Sequence, residues 1–107
     1  MELVNLTPHP ITLHRADGTV RTIAPEPTPA RVATTTRTVG AIDGIPLVEE
    51  HYGKVTGLPE AKQGVVYVVS RPVVDACPER RDLLVVTDTV RDDQGRVTGA
   101  RALARLR

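Results

Sequence analysis

Three glycine-containing turns, each set between short runs of β-branched residues, constrain this chain more than any other feature. Ala16-Asp17-Gly18 separates residues 11–15 from 19–23, the turn 40–44 with Asp43-Gly44 separates 31–39 from 45–52, and Asp92-Asp93-Gln94-Gly95 separates 89–91 from 96–98. Glycine reaches φ > 0 at little steric cost, and a short Asp-Gly connection reverses the chain between alternating segments. Three hairpins are therefore expected. The material between the turns agrees: sixteen valines, nine leucines and four isoleucines, with no Phe or Trp and only Tyr52 and Tyr67. Valine is stiff at χ1 and packs well on a pleated surface, so the composition favours strands.

Residues 2–5 read as a further short strand. Pro25-Glu26-Pro27-Thr28-Pro29 lacks the N–H groups a regular ladder needs and reads as an extended connector or an edge. Val65-Val66-Tyr67-Val68-Val69 is apolar on both faces, the pattern of a central strand covered on each side. Ser70 before Arg71-Pro72 marks a helix start, and Pro78 keeps that helix short, near 71–78. Residues 82–86 form another buried strand. Residues 100–107 fit a last strand or a frayed helical tail. The expected fold is a single mainly β (β-rich α+β) domain over 1–107, a small antiparallel barrel or two-sheet sandwich built from hairpins with one short helix. A chain of about 100 residues with so many strands leaves edges exposed, and a homo-oligomer would cover them.

The formal charge of +1 supplies no strong field for DNA or an anionic membrane, and two tyrosines make a poor platform for stacking bases. There is no strong nucleic-acid signal, although a local patch is left open, and no membrane partner is expected. Cys77 stands alone, so an intrachain disulfide or multi-cysteine metal site is excluded and a reducing cytoplasm fits. No apolar stretch approaches the ~18–20 residues that span a bilayer. His9, His14 and His51 are too scattered to imply coordination, and no metal or other cofactor is expected.

Two groups of residues could carry chemistry. In Asn5-Leu6-Thr7-Pro8-His9-Pro10, two prolines fix a bend around a histidine that could act as general base, with Asn5 and Thr7 positioning a substrate. The same short polar side chains also serve turns by bonding the backbone. The second group is Tyr67, Ser70 and Arg71 with Arg80 and Arg81: free N–H groups at a helix start and nearby guanidinium groups suit an anion such as a nucleotide. The opposing reading makes Ser70 a cap and pairs Arg81 with Asp82 or Glu79. Ser70 lacks the Gly-x-Ser-x-Gly setting of a nucleophile, and a cysteine late in a helix reads as core.

NLTPH near the start, GLPE before the YVVS strand and VRDDQGRVTGARAL at the end together resemble a group of short actinobacterial and phage-associated proteins, over nearly the whole chain. That resemblance implies a bacterial or phage origin and carries over no functional residue. Three functions remain in view. The first is a small soluble binding protein that sequesters a nucleotide or other anion, or holds a protein partner; the second is a small enzyme using His9. The third is an assembly subunit without a ligand.

Overall fold

In the computed structural model, which describes residues 1–106, the chain is mainly β. The strands are β1 (Glu2–Asn5), β2 (Ile11–His14), β3 (Val20–Ile23), β4 (Arg31–Ile42), β5 (Ile45–Thr56), β6 (Val65–Val68), β7 (Leu83–Arg91) and β8 (Val97–Ala104), with one helix, α1 (Arg71–Ala76). Six strands form a nearly closed, barrel-like sheet in the order β1-β6-β7-β8-β2-β3, while β4 and β5 form a second sheet by themselves.

All three expected hairpins are present, each antiparallel: β2 with β3, β4 with β5 and β7 with β8. Their turns carry the anticipated chemistry. Gly18 and Gly95 adopt φ of 90° and 81°, and Asp43 and Gly44 both have φ > 0, at 53° and 75°, which marks the two-residue turn whose twist matches the strands it joins. At the first turn the Asp17 carboxylate accepts from the Thr19 N–H and hydroxyl at 2.9 and 2.6 Å, which holds its pKa below the ordinary carboxylate value.

The hairpins are joined differently from the strands within them. β1 with β6, β6 with β7 and β2 with β8 run parallel, so the barrel sheet is mixed. Parallel neighbours need long crossovers, which the intervening chain supplies. The segment from Ala100 joins β8 as a strand through Ala104, against β7; position 107 lies outside the described residues.

β6, between β1 and β7, is the most deeply buried strand. Tyr67 and Val69 point to one face and pack with Leu6, Ala30, Val73, Cys77 and Leu83 beneath α1 and the base of the β4–β5 hairpin. Val66 and Val68 belong to the other face and are buried on the barrel side. Each fully buried valine or leucine stabilises by ~1.5–3 kcal/mol relative to exposure. α1 begins after Ser70, whose carbonyl accepts from Val73 and Val74 while its side chain makes no cap bond, and it stops at Cys77 before Pro78.

Barrel closure falls to one residue. Asn5 at the end of β1 bridges Pro25 just past β3, and the Glu26 N–H donates to the Asn5 carbonyl at 3.0 Å. Proline offers no N–H, so the ladder cannot extend along this seam and the barrel closes only partly.

The β4–β5 hairpin leaves this body as an arm. Its base rests near α1, yet every residue from 33 to 54 is exposed, including Val39, Ile42, Ile45, Leu47, Val48 and Tyr52. The radius of gyration, 16.5 Å, is well above the ~13 Å of a compact chain of about 100 residues.

Candidate functional site

The bend after β1 is organised by Asn5, only 1% exposed. Its amide nitrogen donates to the carbonyls of His9 and Ile23 at 2.8 and 3.0 Å, and its amide oxygen accepts from the Thr7 N–H and hydroxyl at 2.9 and 2.6 Å. The Thr7 hydroxyl also meets the His9 carbonyl at 3.1 Å. Asn5 thus spends its whole side chain on backbone and Thr7, tying the bend to the end of β3. The two expected substrate-positioning groups are bonded to the protein itself, as short polar side chains in a proline-bounded turn commonly are.

The bend does line a cleft of about 400 Å³ at the barrel end, with Thr7, His9, Thr12, Val86, Val97 and Thr98 among its walls. Thr12 shares a hydrogen bond with Thr22 at 3.2 Å, and Thr98 donates to the Val90 carbonyl at 3.3 Å. No carboxylate lines the cleft to orient His9. An exposed imidazole above an apolar wall is its distinctive group.

The parallel register fixes where the second expected site lies. Asn5 stands beside Val68, and the Leu6 N–H donates to the Val68 carbonyl at 2.9 Å, so the Thr7–His9 bend and Ser70 leave the same end of the barrel. Arg80 and Arg81 do not join them. Tyr67 pairs with Leu83, which sets Arg81 level with Val65, five residues and ~16 Å down β6 from Ser70 at a strand rise of ~3.3 Å. Arg80 is further committed to Asp82 through two parallel bonds, Nε to Oδ1 at 2.9 Å and Nη2 to Oδ2 at 2.8 Å. These bonds raise the Arg80 pKa and lower that of Asp82. Of the three arginines expected around Ser70, the exposed Arg71 alone is adjacent. The convergence inferred from sequence is undone because β7 runs parallel to β6 with Leu83 level with Tyr67, so the residues that precede Leu83 lie back toward the start of β6, away from Ser70.

Tyr67 faces away from both sites. It lines a cleft of about 460 Å³ at the base of the arm, with Val4, Leu6, Pro27, Gly57 and Pro59, and its hydroxyl reaches the Glu60 carbonyl at 3.4 Å. Cys77 is buried, and burial, then Glu79, pushes its thiol pKa up, the opposite of an activated nucleophile. Among the described residues, no group of three His, Cys, Asp or Glu side chains could hold a metal, and no helix is long and apolar enough to cross a membrane.

The arm is the feature that residue-type reasoning passed over. Its signal lies in the middle of each strand: Thr34-Thr35-Thr36 faces Tyr52-His51-Glu50, and Arg37 meets Glu49 at 3.5 Å, so both faces of the hairpin are polar there. Such a ribbon has no side to bury. Apolar residues return at the base, where Val32 pairs with Val55, and toward the exposed tip, where Ile42 pairs with Ile45 and Val48 with Thr38. Compared with known proteins, the chain matches no family model, no curated protein and no solved structure.

Proposed function

We propose that this chain is a non-enzymatic binding and assembly domain that engages a protein partner through the β4–β5 arm. The observation that carries this reading is the exposure of two 12-residue strands ending in an apolar tip, beside a barrel that has a core of its own. An isolated two-stranded ribbon is marginal in water, and exposed strand edges are usually blunted or covered. An arm that is exposed from residue 33 to 54, beyond its base, is best accounted for by a surface supplied from outside.

The other two readings have less behind them. Small-anion binding would rest on Arg71 beside Ser70, because Arg80 is held by Asp82 and Arg81 lies at the other end of β6. General-base chemistry would rest on His9 without a carboxylate to orient it.

The test is the size of the native species in lysate of cells making the full chain, followed by antibody on gel filtration. Wild type is expected above the 11.6 kDa monomer position, and Ile42→Lys/Ile45→Lys at it, with unchanged thermal unfolding of the purified variant. A wild-type chain that elutes as a monomer, or a variant that elutes with wild type, refutes the arm as the binding element.

A further inference from the structure

Resting on the reading that the arm is a docking element, we propose that its partner is a second copy of this chain. The two copies pair antiparallel along their β4 edges about a two-fold axis at Thr35 or Thr36, which seats each arm tip at the base of the other's arm.

The two edges of the arm are not equivalent. A two-residue turn makes Ile42 and Ile45 a hydrogen-bonded pair, so the next pair, Ala41 and Pro46, directs its backbone groups outward. Pro46 therefore stands on the outer edge of β5 where an N–H is missing. Counting by twos along β5 from Pro46 gives Val48, Glu50 and Tyr52 as the other outward positions, and their partners Thr38, Thr36 and Thr34 as the outward positions of β4. The β5 edge thus combines a proline with adjacent carboxylates at Glu49 and Glu50 and a glycine at Gly53, all features that discourage strand addition. The β4 edge has no proline and no carboxylate from Arg31 to Ile42; its one glycine, Gly40, and its register shifts at Val32/Thr34 and Thr38/Gly40 flank the run Thr34-Thr35-Thr36-Arg37-Thr38, which is rich in residues that favour pairing. One edge is blunted and the other is left open.

Charge points the same way. Arg37 is the lone charge in the β4 run 33–39, and Glu49 of its own arm lies 3.5 Å away. Centring the axis on Thr35 or Thr36 sets Arg37 of one copy beside an alanine or a threonine of the other, whereas an axis on Thr34 would oppose it to Arg31. Two β5 edges would bring Glu49 and Glu50 toward their counterparts, and like charges directly opposite destabilise.

The surface to be covered is the right size. The chain exposes 7596 Å², about 1,800 Å² more than the ~5,800 Å² of a compact monomer of its mass. A stable interface takes ~800 Å² per partner. Strand pairing of the two β4 edges gives main-chain bonds, and full antiparallel overlap sets Ile42 and Ile45 by the partner's cleft of about 460 Å³, whose apolar wall includes Val4, Leu6, Pro27 and Pro59. An edge-to-edge pair of identical strands related by a two-fold is antiparallel, so the contact is isologous and closes at two.

The experiment uses the purified full chain in sedimentation equilibrium, with two proline substitutions that differ only in which edge they interrupt. Wild type is expected at twice the 11.6 kDa chain mass. Thr36→Pro is expected to weaken the dimer at least tenfold, and Glu50→Pro, across the same hairpin, to leave it intact. Cysteine placed singly at Thr35 or Thr36 should form an intermolecular disulfide under mild oxidation at one of the two positions, while Cys77 stays buried and free. A monomeric purified wild type, or a dimer indifferent to Thr36→Pro and uncrosslinked at both positions, overturns the proposal. If the purified chain is monomeric while the lysate species is still large and tip-dependent, the second copy is refuted and the arm reading survives. If neither species depends on the tip, both fail.

Discussion

Removing the Asn5 side chain tests whether one residue closes the barrel and shapes the bend at its end. Asn5→Ala deletes an amide that is 1% exposed and makes four hydrogen bonds, leaving the carbonyls of His9 and Ile23 and the N–H of Thr7 without their partner. A buried polar group stranded in this way costs ~1–3 kcal/mol. The Thr7 hydroxyl keeps its bond to the His9 carbonyl and water can reach that side of the bend, so the three losses do not add in full. The expected cost is ~3 kcal/mol, a large part of the ~5–15 kcal/mol that holds a domain together. At ~4–8 °C per kcal/mol for a domain near this size, the unfolding midpoint should fall by ~12–24 °C in thermal melts followed by circular dichroism. Asn5→Asp sharpens the test, because it keeps the acceptor for Thr7 and replaces the donor. An ionised carboxylate would then face two carbonyls, so the folded state favours the protonated acid and its pKa rises above the unfolded ~3.9. With a raised folded pKa, the variant is nearest to wild type below the unfolded value and loses stability as pH rises through the folded value. Asn5→Ala within 0.5 kcal/mol of wild type, or Asn5→Asp with a flat pH difference across the carboxylate range, would show that closure does not depend on this side chain.

The pair of Arg80 and Asp82, 18% and 15% exposed, predicts that Asp82→Asn costs ~1.5–3 kcal/mol at neutral pH in urea unfolding, as loss of a charge-assisted contact does. Because the folded Asp82 pKa is lowered, its contribution is complete above the unfolded ~3.9 and disappears as pH falls through the folded value; wild type and variant should converge there, and a constant gap would contradict the assignment. Gly57 holds φ at 78°, and a Cβ there would lie 2.4 Å from the Pro29 carbonyl oxygen, so Gly57→Ala should cost ~2–3 kcal/mol in the same assay. A neutral substitution would mean that the arm base yields freely.

Local chemistry was legible wherever the relevant contact is between near neighbours in the chain. The Asp43-Gly44 turn, the alternation on either side of it, the double-faced apolar run at Val65–Val68 and the proline-limited helix after Ser70 each follow from backbone geometry within a few residues. The site was legible only in part. Asn5, Thr7 and His9 do share a bend, but whether Asn5 has a free amide depends on the Ile23 carbonyl, 18 residues away. Likewise, Ser70 and the pair Arg80-Arg81 are near in sequence and apart in space, because the register of Tyr67 on Leu83 runs parallel.

The sequence by itself determined the β class, the three hairpins, the short helix and the strand buried on both faces, since turn conformation and side-chain alternation are set by adjacent residues. Tertiary structure decided which hairpins join into the barrel, that they join in parallel, that Asn5 and Pro25 form the seam, and that the hairpin 31–56 is left outside as an arm. Those outcomes depend on pairing between segments distant along the chain, where the free energy comes from covering one apolar face with another. A ribbon polar on both faces at its middle has no such face to offer its own barrel.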